Sequence, residues 1–228
     1  MSTMAVCLYW TQLRCRLVVA HGPVFGLVDY PWDWIFMDHT AELPLTKTCG
    51  PNWPTAGEID IVEGVNNQAH NQMTLHTGTS NPCSLDVTGS FTGRVLATNC
   101  YSTQTANIGC SILDINKRSF GYGFNNAQGG VFALLWDTSA GMSVWHFARA
   151  DIPADITSQT PTPANWDTPA GHWSSATCDI ADNFYDHSMI FDMTICGDWA
   201  GNTYGNSGCP GTCSQMVANA ANFAGELA

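Results

Sequence analysis

The stretch GEIDIVEG, residues 57–64, determines the fold that we expect for this chain. Acidic and aliphatic residues alternate through its first half, which is the pattern of a β-strand with one polar and one apolar face. Glu58 and Asp60 therefore share a face, and Ile59 anchors the other. A regular strand would turn Glu63 away from Glu58, and one β-bulge in the second half returns it. The sequence thus predicts three carboxylates on one strand face.

This concentration of acid is unusual, because the chain contains only four glutamates and two of them are Glu58 and Glu63. Like charges held close together raise the pKa of at least one carboxyl. A structural role gains nothing from this repulsion, whereas a pair consisting of a general acid and a nucleophile requires it. The alternative is an exposed edge strand whose charges prevent aggregation.

The flanking sequence favours the catalytic interpretation. Residues 51–54, PNWP, precede the strand, and residues 72–77, QMTLHT, follow it after a short polar loop. A hairpin between the two strands places His76 near the carboxylates. A metal site formed by Glu63, His70 and His76 is conceivable, but no compact ligand motif supports it, so no metal is predicted.

The composition restricts the classes of partner. Hydrophobic residues make up 45% of the 228-residue chain, and 7 basic residues against 19 acidic ones give a formal net charge of -12. Phosphate binding needs clustered basic side chains, so nucleic acid is not an expected partner. An anionic membrane surface is not expected either, and no apolar run is long enough to span a bilayer. A neutral polysaccharide suits this acidic, weakly charged chain.

Ten cysteines in a chain of this size indicate an oxidising compartment and hence secretion. None forms a CxxC pair, so a zinc ribbon is not expected, and we interpret Cys209-Pro-Gly-Thr-Cys213 as a small surface disulfide loop. The first 20 residues lack the unbroken apolar stretch of a signal peptide. We therefore expect a secreted protein whose natural N-terminus is missing from this chain.

From about Cys49 onward, short β-prone runs alternate with clusters of Gly, Asn, Pro and Ser, as in all-β proteins. We predict one β-rich domain, an antiparallel sandwich rather than a barrel. One short helix is expected near the end, at residues 215–224. The candidate strands are Glu58–Val62, Gln72–His76, Arg94–Ala97, Val131–Trp136, Ser143–Arg149 and Ser188–Ile195.

The motif GEIDIVEG, continued by VNNQ and then by NQMTLHTG, resembles glycoside hydrolase family 16, specifically the fungal laminarinase-type endo-β-1,3(4)-glucanases. The E-x-D-x-x-E pattern of that family is matched in full. Further matching text includes NNAQGGVFALLW at residues 125–136 and FDMTICGDWAGN at residues 191–202. The resemblance covers residues 46–224 and implies an all-β, concanavalin-like jelly-roll sandwich with a concave glucan cleft.

Carried over position by position, the resemblance implies that Glu58 is the nucleophile and Glu63 the general acid/base. Asp60 would lie between them and tune their protonation. Trp53 would supply a sugar platform, although a packed core ring is an equally open interpretation, and His76 would line the cleft near the acid/base. No cofactor is required. Some relatives bind a structural Ca²⁺, but this sequence shows no clear site for it.

The chain departs from the family pattern in three places. Leu135 stands where the family commonly has Glu. Residues 1–45 match none of the strands that precede the catalytic strand, and the final family strand after Cys213 is absent. We therefore expect residues 1–45 to be an unmatched, wrongly assigned N-terminal segment, and residues 46–228 to be a family 16 catalytic domain that is incomplete at both ends because of misplaced exon boundaries.

The activity that this resemblance implies is endo-acting, retaining hydrolysis of β-1,3- or mixed β-1,3/1,4-glucans by a monomer. Three alternatives stay open. The sandwich could be a non-catalytic carbohydrate-binding module, an inactive remnant of an enzyme, or a transglycosylase that uses the same carboxylates. The residues themselves do not distinguish the linkages that would be cleaved.

Overall fold

The computed structural model describes residues 15–20, 33–39, 45–192 and 195–223, and within them the chain forms two antiparallel β-sheets. The strands are β1 (Cys15–Ala20), β2 (Asp33–His39), β3 (Leu45–Cys49), β4 (Glu58–Glu63), β5 (Gln72–His76), β6 (Arg94–Ala97), β7 (Cys110–Leu113), β8 (Gly130–Asp137), β9 (Gly141–Ala148), β10 (Gly171–Ser174) and β11 (Ser188–Asp192). One sheet has the order β1-β2-β8-β9-β10, and the other has the order β11-β3-β4-β5-β7-β6. The strand β4 lies inside the second sheet, between β3 and β5.

The helices of the described residues are short and occupy the connections between strands. They are α1 (Gly121–Asn126), α2 (Ala154–Thr157), α3 (Ile180–Asn183), α4 (Asp198–Thr203) and α5 (Cys213–Val217). Single 3-10 turns lie at Ser102–Gln104, Arg149–Asp151, Pro163–Asn165, Tyr204–Asn206 and Ala220–Phe223. A search of the described residues finds no helix with the length and apolar character needed to cross a bilayer.

The two sheets enclose one main hydrophobic core. Alternate residues of β5, β7, β8 and β9 point inward, as the two-residue period of a strand requires. From the six-stranded sheet come Ile59, Ile61, Met73, Leu75 and Ile112, and from the five-stranded sheet come Phe132, Leu134, Trp136, Met142 and Val144. This arrangement confirms the predicted all-β sandwich. Because each fully buried aliphatic side chain contributes about 1.5–3 kcal/mol, the core fixes which face of each strand turns outward.

A second apolar cluster covers the other face of β8 and β9. Val131, Ala133 and Trp145 are buried there beneath the segment that follows β9, which contributes Ile152 and Trp166. Leu135, which stands where the family commonly has Glu, packs against this cluster. Leu135 therefore contributes to apolar packing in this chain.

Most of the predicted strands occur. The strands β5 and β6 have the predicted bounds, and β4, β8 and β9 differ from the prediction by one or two residues at their ends. The last predicted strand ends at Asp192, with positions 193 and 194 outside the described residues. The predicted helix at 215–224 was misplaced: α5 begins at Cys213, a 3-10 turn follows, and position 224 lies outside the described residues.

The sequence analysis named no strand before residue 58, whereas the structure has three. The backbone of β2 pairs with β8 along its whole length, and β3 pairs with β4. The strands β7 and β10 were also missed. Their sequences, CSIL and GHWS, are too short for a periodic pattern, so pairing with neighbouring strands rather than local propensity determines them. The domain boundary at residue 46 stays a prediction, and the rest of residues 1–45 lies outside the described ranges.

Three disulfides lie between Cys83 and Cys213, as the cysteine content predicted. They join Cys83 to Cys178, Cys100 to Cys110, and Cys196 to Cys213. The predicted small loop between Cys209 and Cys213 is wrong, because Cys213 pairs with Cys196, which precedes α4, and Cys209 belongs to a different disulfide. The spacing of four residues was therefore a misleading guide to connectivity.

A cavity of about 600 Å³ lies at one edge of the sandwich and contains none of the predicted site residues. Its wall includes His146, whose side chain is 2% exposed and contacts the rings of Phe124 and Phe132. Nδ1 of His146 is 3.8 Å from Oδ2 of Asp114, too far for a hydrogen bond. Burial lowers the pKa of His146 to about 4 and raises that of Asp114 to about 6. At neutral pH the imidazole is uncharged, so the two residues form no salt bridge.

We predict that His146→Phe stabilises the protein. The substitution removes two buried ring nitrogens that have no hydrogen-bond partner among the described residues, a gain of about 1 kcal/mol at pH 7. The gain grows as pH falls from 6.5 towards 4, because only the unfolded wild-type histidine takes up a proton in that range; at pH 5 it is larger by about 2 kcal/mol. Urea unfolding at pH 7 and pH 5 measures both values. Asp114 titrates in both the wild type and the variant, so its protonation does not account for a difference between them. A gain at pH 5 that is equal to or smaller than the gain at pH 7 would contradict the lowered pKa of His146.

Candidate active site

The strand β4 carries the predicted carboxylates on the face that turns away from the core. Ile59 and Ile61 are almost fully buried between the sheets, at 1% and 0% exposure. Their burial fixes the rotation of the strand and directs Glu58 and Asp60 to the opposite face. The sequence prediction for these two acids and for Ile59 is confirmed.

A β-bulge in the second half of β4 returns Glu63 to the carboxylate face. Asp60 lies opposite Thr74, and Glu63 lies opposite Gln72. The chain therefore advances three residues along β4 where it advances two along β5. Ile61 and Val62 are consecutive and both buried in the core, which is the two-against-one arrangement of a bulge. The predicted bulge is therefore present at the predicted place.

The side chain of Asn71 holds the bulge in place. Its Nδ2 donates to the carbonyl of Ile61 at 2.9 Å, and its Oδ1 accepts from the backbone N–H of Glu63 at 2.9 Å. Asn71 is fully buried, and its own N–H donates to Oγ of Ser119 at 3.0 Å. One amide thus satisfies the two backbone groups that a bulge removes from the ladder.

Glycines at both ends of β4 allow close packing there. Gly57 has φ +76, and a Cβ at this position would lie 2.4 Å from Cδ1 of Phe184. At Gly64 a Cβ would lie 2.3 Å from Cζ of Phe120. Any larger residue at either position would displace an aromatic ring of the core or, at Gly57, would also strain the backbone.

Both carboxylate oxygens of Glu58 receive a hydrogen bond. Nζ of Lys47, on β3, lies 2.5 Å from Oε1, and the indole Nε1 of Trp53 donates to Oε2 at 2.5 Å. Trp53 is 45% exposed, so it is not a packed core ring. It lies in the loop before β4, which the hydrogen bond from the N–H of Gly50 to the carbonyl of Gly57 closes. Charge-assisted bonds of this kind favour an ionised carboxylate with a fixed orientation.

Asp60 contacts His76 across the sheet. Nε2 of His76 is 3.2 Å from Oδ2 of Asp60, and its Nδ1 is 3.3 Å from the hydroxyl of Ser102. Burial works against the protonated form of His76, but the close contact with Asp60 and the charge of Glu58 outweigh it and raise the pKa of His76. Burial also raises the pKa of Asp60, and the charge of Glu58 adds to that effect. The predicted position of His76 near the carboxylates is confirmed.

Glu63 is the carboxyl most easily kept protonated. Burial raises its pKa to about 9, and the negative charges of Asp60 and Glu58 contribute to the same shift. At neutral pH the environment of Glu63 therefore favours the acid. One strand face thus presents a proton donor beside a second carboxyl that Lys47 and Trp53 hold in place, which is the arrangement that acid-assisted displacement needs.

The comparisons with known proteins agree with this geometry. Residues 44–226 match the family model described as the XgeA-like catalytic GH16 domain. The chain belongs to glycoside hydrolase family 16.

Two curated family relatives illustrate the extent of the likeness. A probable glycosidase of Schizosaccharomyces pombe is 44% identical over 180 residues, which are 77% of this chain and 42% of that protein. A probable endo-1,3(4)-beta-glucanase of Aspergillus flavus is 41% identical over 167 residues, which are 73% of this chain and 24% of that protein. The chain thus spans less than half the length of these relatives.

A solved family 16 structure shows the same fold. Laminarinase 16A from Phanerochaete chrysosporium, determined with 6-O-glucosyl-laminaritriose in its donor and acceptor sites, superposes with a TM-score of 0.71. The likeness covers 96% of this chain and 95% of the laminarinase chain, at 25% sequence identity. The jelly-roll sandwich expected from the sequence is therefore the fold of this family 16 chain.

The conceivable metal site at Glu63, His70 and His76 is not gathered in the structure. Within the described residues, the only three metal-ligating side chains whose ligand atoms lie close together are Cys83, Cys100 and Cys110. All three sulfurs are already engaged in disulfides, so they are not available as thiolate ligands.

Sequence reasoning missed three residues of this family 16 site. Asn71 holds the bulge, Ser102 contacts the imidazole of His76, and Lys47 contacts Glu58. The register of a β4–β5 hairpin could have indicated Asn71, because it immediately precedes β5 beside the bulge. Lys47 lies on β3 and Ser102 begins a 3-10 turn after β6, and no local pattern marks either one.

We predict that Asn71→Ala lowers the free energy of unfolding by roughly 2–4 kcal/mol, because it leaves the carbonyl of Ile61 and the N–H of Glu63 buried without partners. If the protein cleaves glucan, this variant should do so at least tenfold more slowly, since Glu63 loses its fixed position. Chemical unfolding and reducing-sugar release measure the two effects. The matched control Asn206→Ala removes an exposed amide and should change neither. Equal stability of Asn71→Ala and the control would show that Asn71 does not hold the bulge.

Proposed function

We propose that this chain is the catalytic domain of a secreted, monomeric enzyme that cleaves β-1,3- or mixed β-1,3/1,4-glucans internally, with retention of anomeric configuration. The observation that carries the proposal is the difference between two glutamates on one strand face. Glu58 accepts bonds from an ammonium and an indole, while Glu63 lies where burial and neighbouring charge raise its pKa to about 9. The two groups have the roles that a retaining glycosidase requires.

The substrate class follows from the relatives and from the character of the site. A glucanase relative and a laminarinase that holds a β-glucan oligosaccharide support a neutral glucan as the ligand. The half-exposed ring of Trp53 beside Glu58 offers an apolar surface to a sugar face. Three internal disulfides support an oxidising, extracellular setting.

The reaction proceeds in two displacements. Glu58 attacks the anomeric carbon and forms a glycosyl ester, while Glu63 donates its proton to the glycosidic oxygen that leaves. Glu63, now a carboxylate, removes a proton from water, and the resulting hydroxide attacks the same carbon and releases Glu58. Asp60 and His76 keep the charge of the cluster balanced during these steps, because the imidazole can carry a positive charge beside Asp60.

We predict that Glu58→Gln abolishes hydrolysis of laminarin and of mixed-linkage glucan, because no glycosyl ester can form. Glu63→Gln should lower turnover of these polymers by roughly 10²–10⁴-fold. It should spare the first step on an aryl glycoside whose leaving group needs no proton, and azide should then restore turnover with a β-configured product. Wild-type activity should decline as pH rises through the pKa of Glu63, near 9.

Asp186→Asn, which removes an exposed carboxylate outside the site, is the matched control and should retain full activity. Azide rescue of Glu58→Gln with a retained, β-configured product would exchange the two roles. Unchanged cleavage by both variants would refute the hydrolase proposal. Oligosaccharides longer than the substrate, formed in the presence of a sugar acceptor, would indicate a transglycosylase.

A further inference from the structure

The ammonium of Lys47 is a positive charge in direct contact with the carboxylate cluster. Lys47 lies on β3 directly opposite Asp60, and its Nζ is 2.5 Å from Oε1 of Glu58. The side chains of Lys47 and Glu58 are 21% and 9% exposed, so water screens this pair only partly. The pair therefore differs from a surface salt bridge, whose contribution is small.

The groups around Lys47 reinforce its charge. Glu58 and Asp60 act on it from β4, and the Cys49 thiol acts on it from its own strand. On the other side of β3, the strand β11 places the apolar residue Ile190 opposite Lys47. Although burial opposes the charged form, the contact with Glu58 outweighs it, and the pKa of Lys47 is raised. The side chain thus stays positive wherever the enzyme would work.

We propose that Lys47 is a positioning residue that holds the side chain of Glu58 in the orientation needed for attack, and that its charge sets the pH range in which the carboxylate cluster is active. The inference rests on the proposed function of Glu58 and Glu63. With Trp53 at Oε2 and Lys47 at Oε1, the carboxylate plane of Glu58 has a fixed orientation. When the glycosyl ester breaks in the second step, the departing carboxylate recovers its charge beside the ammonium, which stabilises it.

The positive charge also acts on the other two acids. Lys47 favours the ionised forms of both Asp60 and Glu63, in opposition to burial and to the repulsion between carboxylates. Without this charge, the carboxyls of Asp60 and Glu63 lose their protons less readily. Both limbs of the bell-shaped plot of kcat/KM against pH should then move to higher pH. A purely structural defect would not produce this displacement.

The test compares Lys47→Met with Lys47→Arg. Lys47→Met keeps much of the length and apolar contact of the side chain but removes the charge. We expect kcat/KM on laminarin to fall at least tenfold at pH 5, and both limbs of its pH profile to move up by roughly half a unit or more. Lys47→Arg keeps the charge and should restore the wild-type limbs. The control Lys117→Met removes an exposed lysine outside the site and should leave the profile unchanged.

A second measurement does not depend on activity. The chain has four glutamates, so the ¹³C carboxyl spectrum of glutamate-labelled protein is simple to assign. The Glu63 resonance should titrate at higher pH in Lys47→Met than in the wild type. If the wild-type protein does not cleave glucan but the Glu63 resonance still titrates at higher pH in Lys47→Met, the proposed function is refuted. The role of Lys47 in setting the charge of the cluster would then remain supported. Unmoved limbs and an unmoved Glu63 titration would overturn the inference about Lys47.

Discussion

The amide of Asn71 bonds to both sides of one β-bulge, and the site depends on that bulge. Without an extra residue in β4, the two-residue period of the strand would direct Glu63 into the core among Met73 and Ile112. Nδ2 of Asn71 holds the carbonyl of Ile61, and its Oδ1 holds the N–H of Glu63. The bulge buries two successive aliphatic residues and still leaves three acids on one face. The hydrophobic core and the chemistry of the site therefore share a single local backbone conformation.

The three acids on that face differ because their surroundings differ. Glu58 meets an ammonium and an indole N–H, Asp60 meets an imidazole, and Glu63 meets mainly other carboxylates and apolar burial. Burial and neighbouring charge raise the pKa of Glu63, whereas two hydrogen-bond donors fix the orientation of Glu58, so chemically identical side chains differ in their properties. The six-stranded sheet supplies each partner from a different strand or loop: β3 for Lys47, the loop before β4 for Trp53, and β5 for His76. The order of the strands in this sheet thus determines which side chains contact the three acids.

The sequence was informative where the pattern was local. The alternation in GEIDIVEG predicted that Glu58 and Asp60 share a face opposite Ile59, and the spacing of Glu63 indicated a bulge, because the two-residue period of a strand leaves few alternatives. The position of His76 followed from a hairpin with a short loop. The disulfide between Cys196 and Cys213, the pairing of β2 with β8, and the contact of Lys47 with Glu58 join distant segments, and no short pattern encodes them. Trp53 was ambiguous for the same reason, since its exposure depends on how the loop closes.

In the proposed reaction, Glu58 forms a covalent bond to the sugar while Glu63 supplies the proton. A 2-deoxy-2-fluoro β-glucobiosyl fluoride with a β-1,3 linkage tests it directly, because the fluorine at C2 slows both steps and the fluoride leaves without acid assistance, so the glycosyl ester accumulates. Mass spectrometry of the protein should show one added glycosyl group, and peptide mapping should place it on Glu58. Addition to Glu63, or no addition under conditions in which the protein cleaves laminarin, would contradict the account.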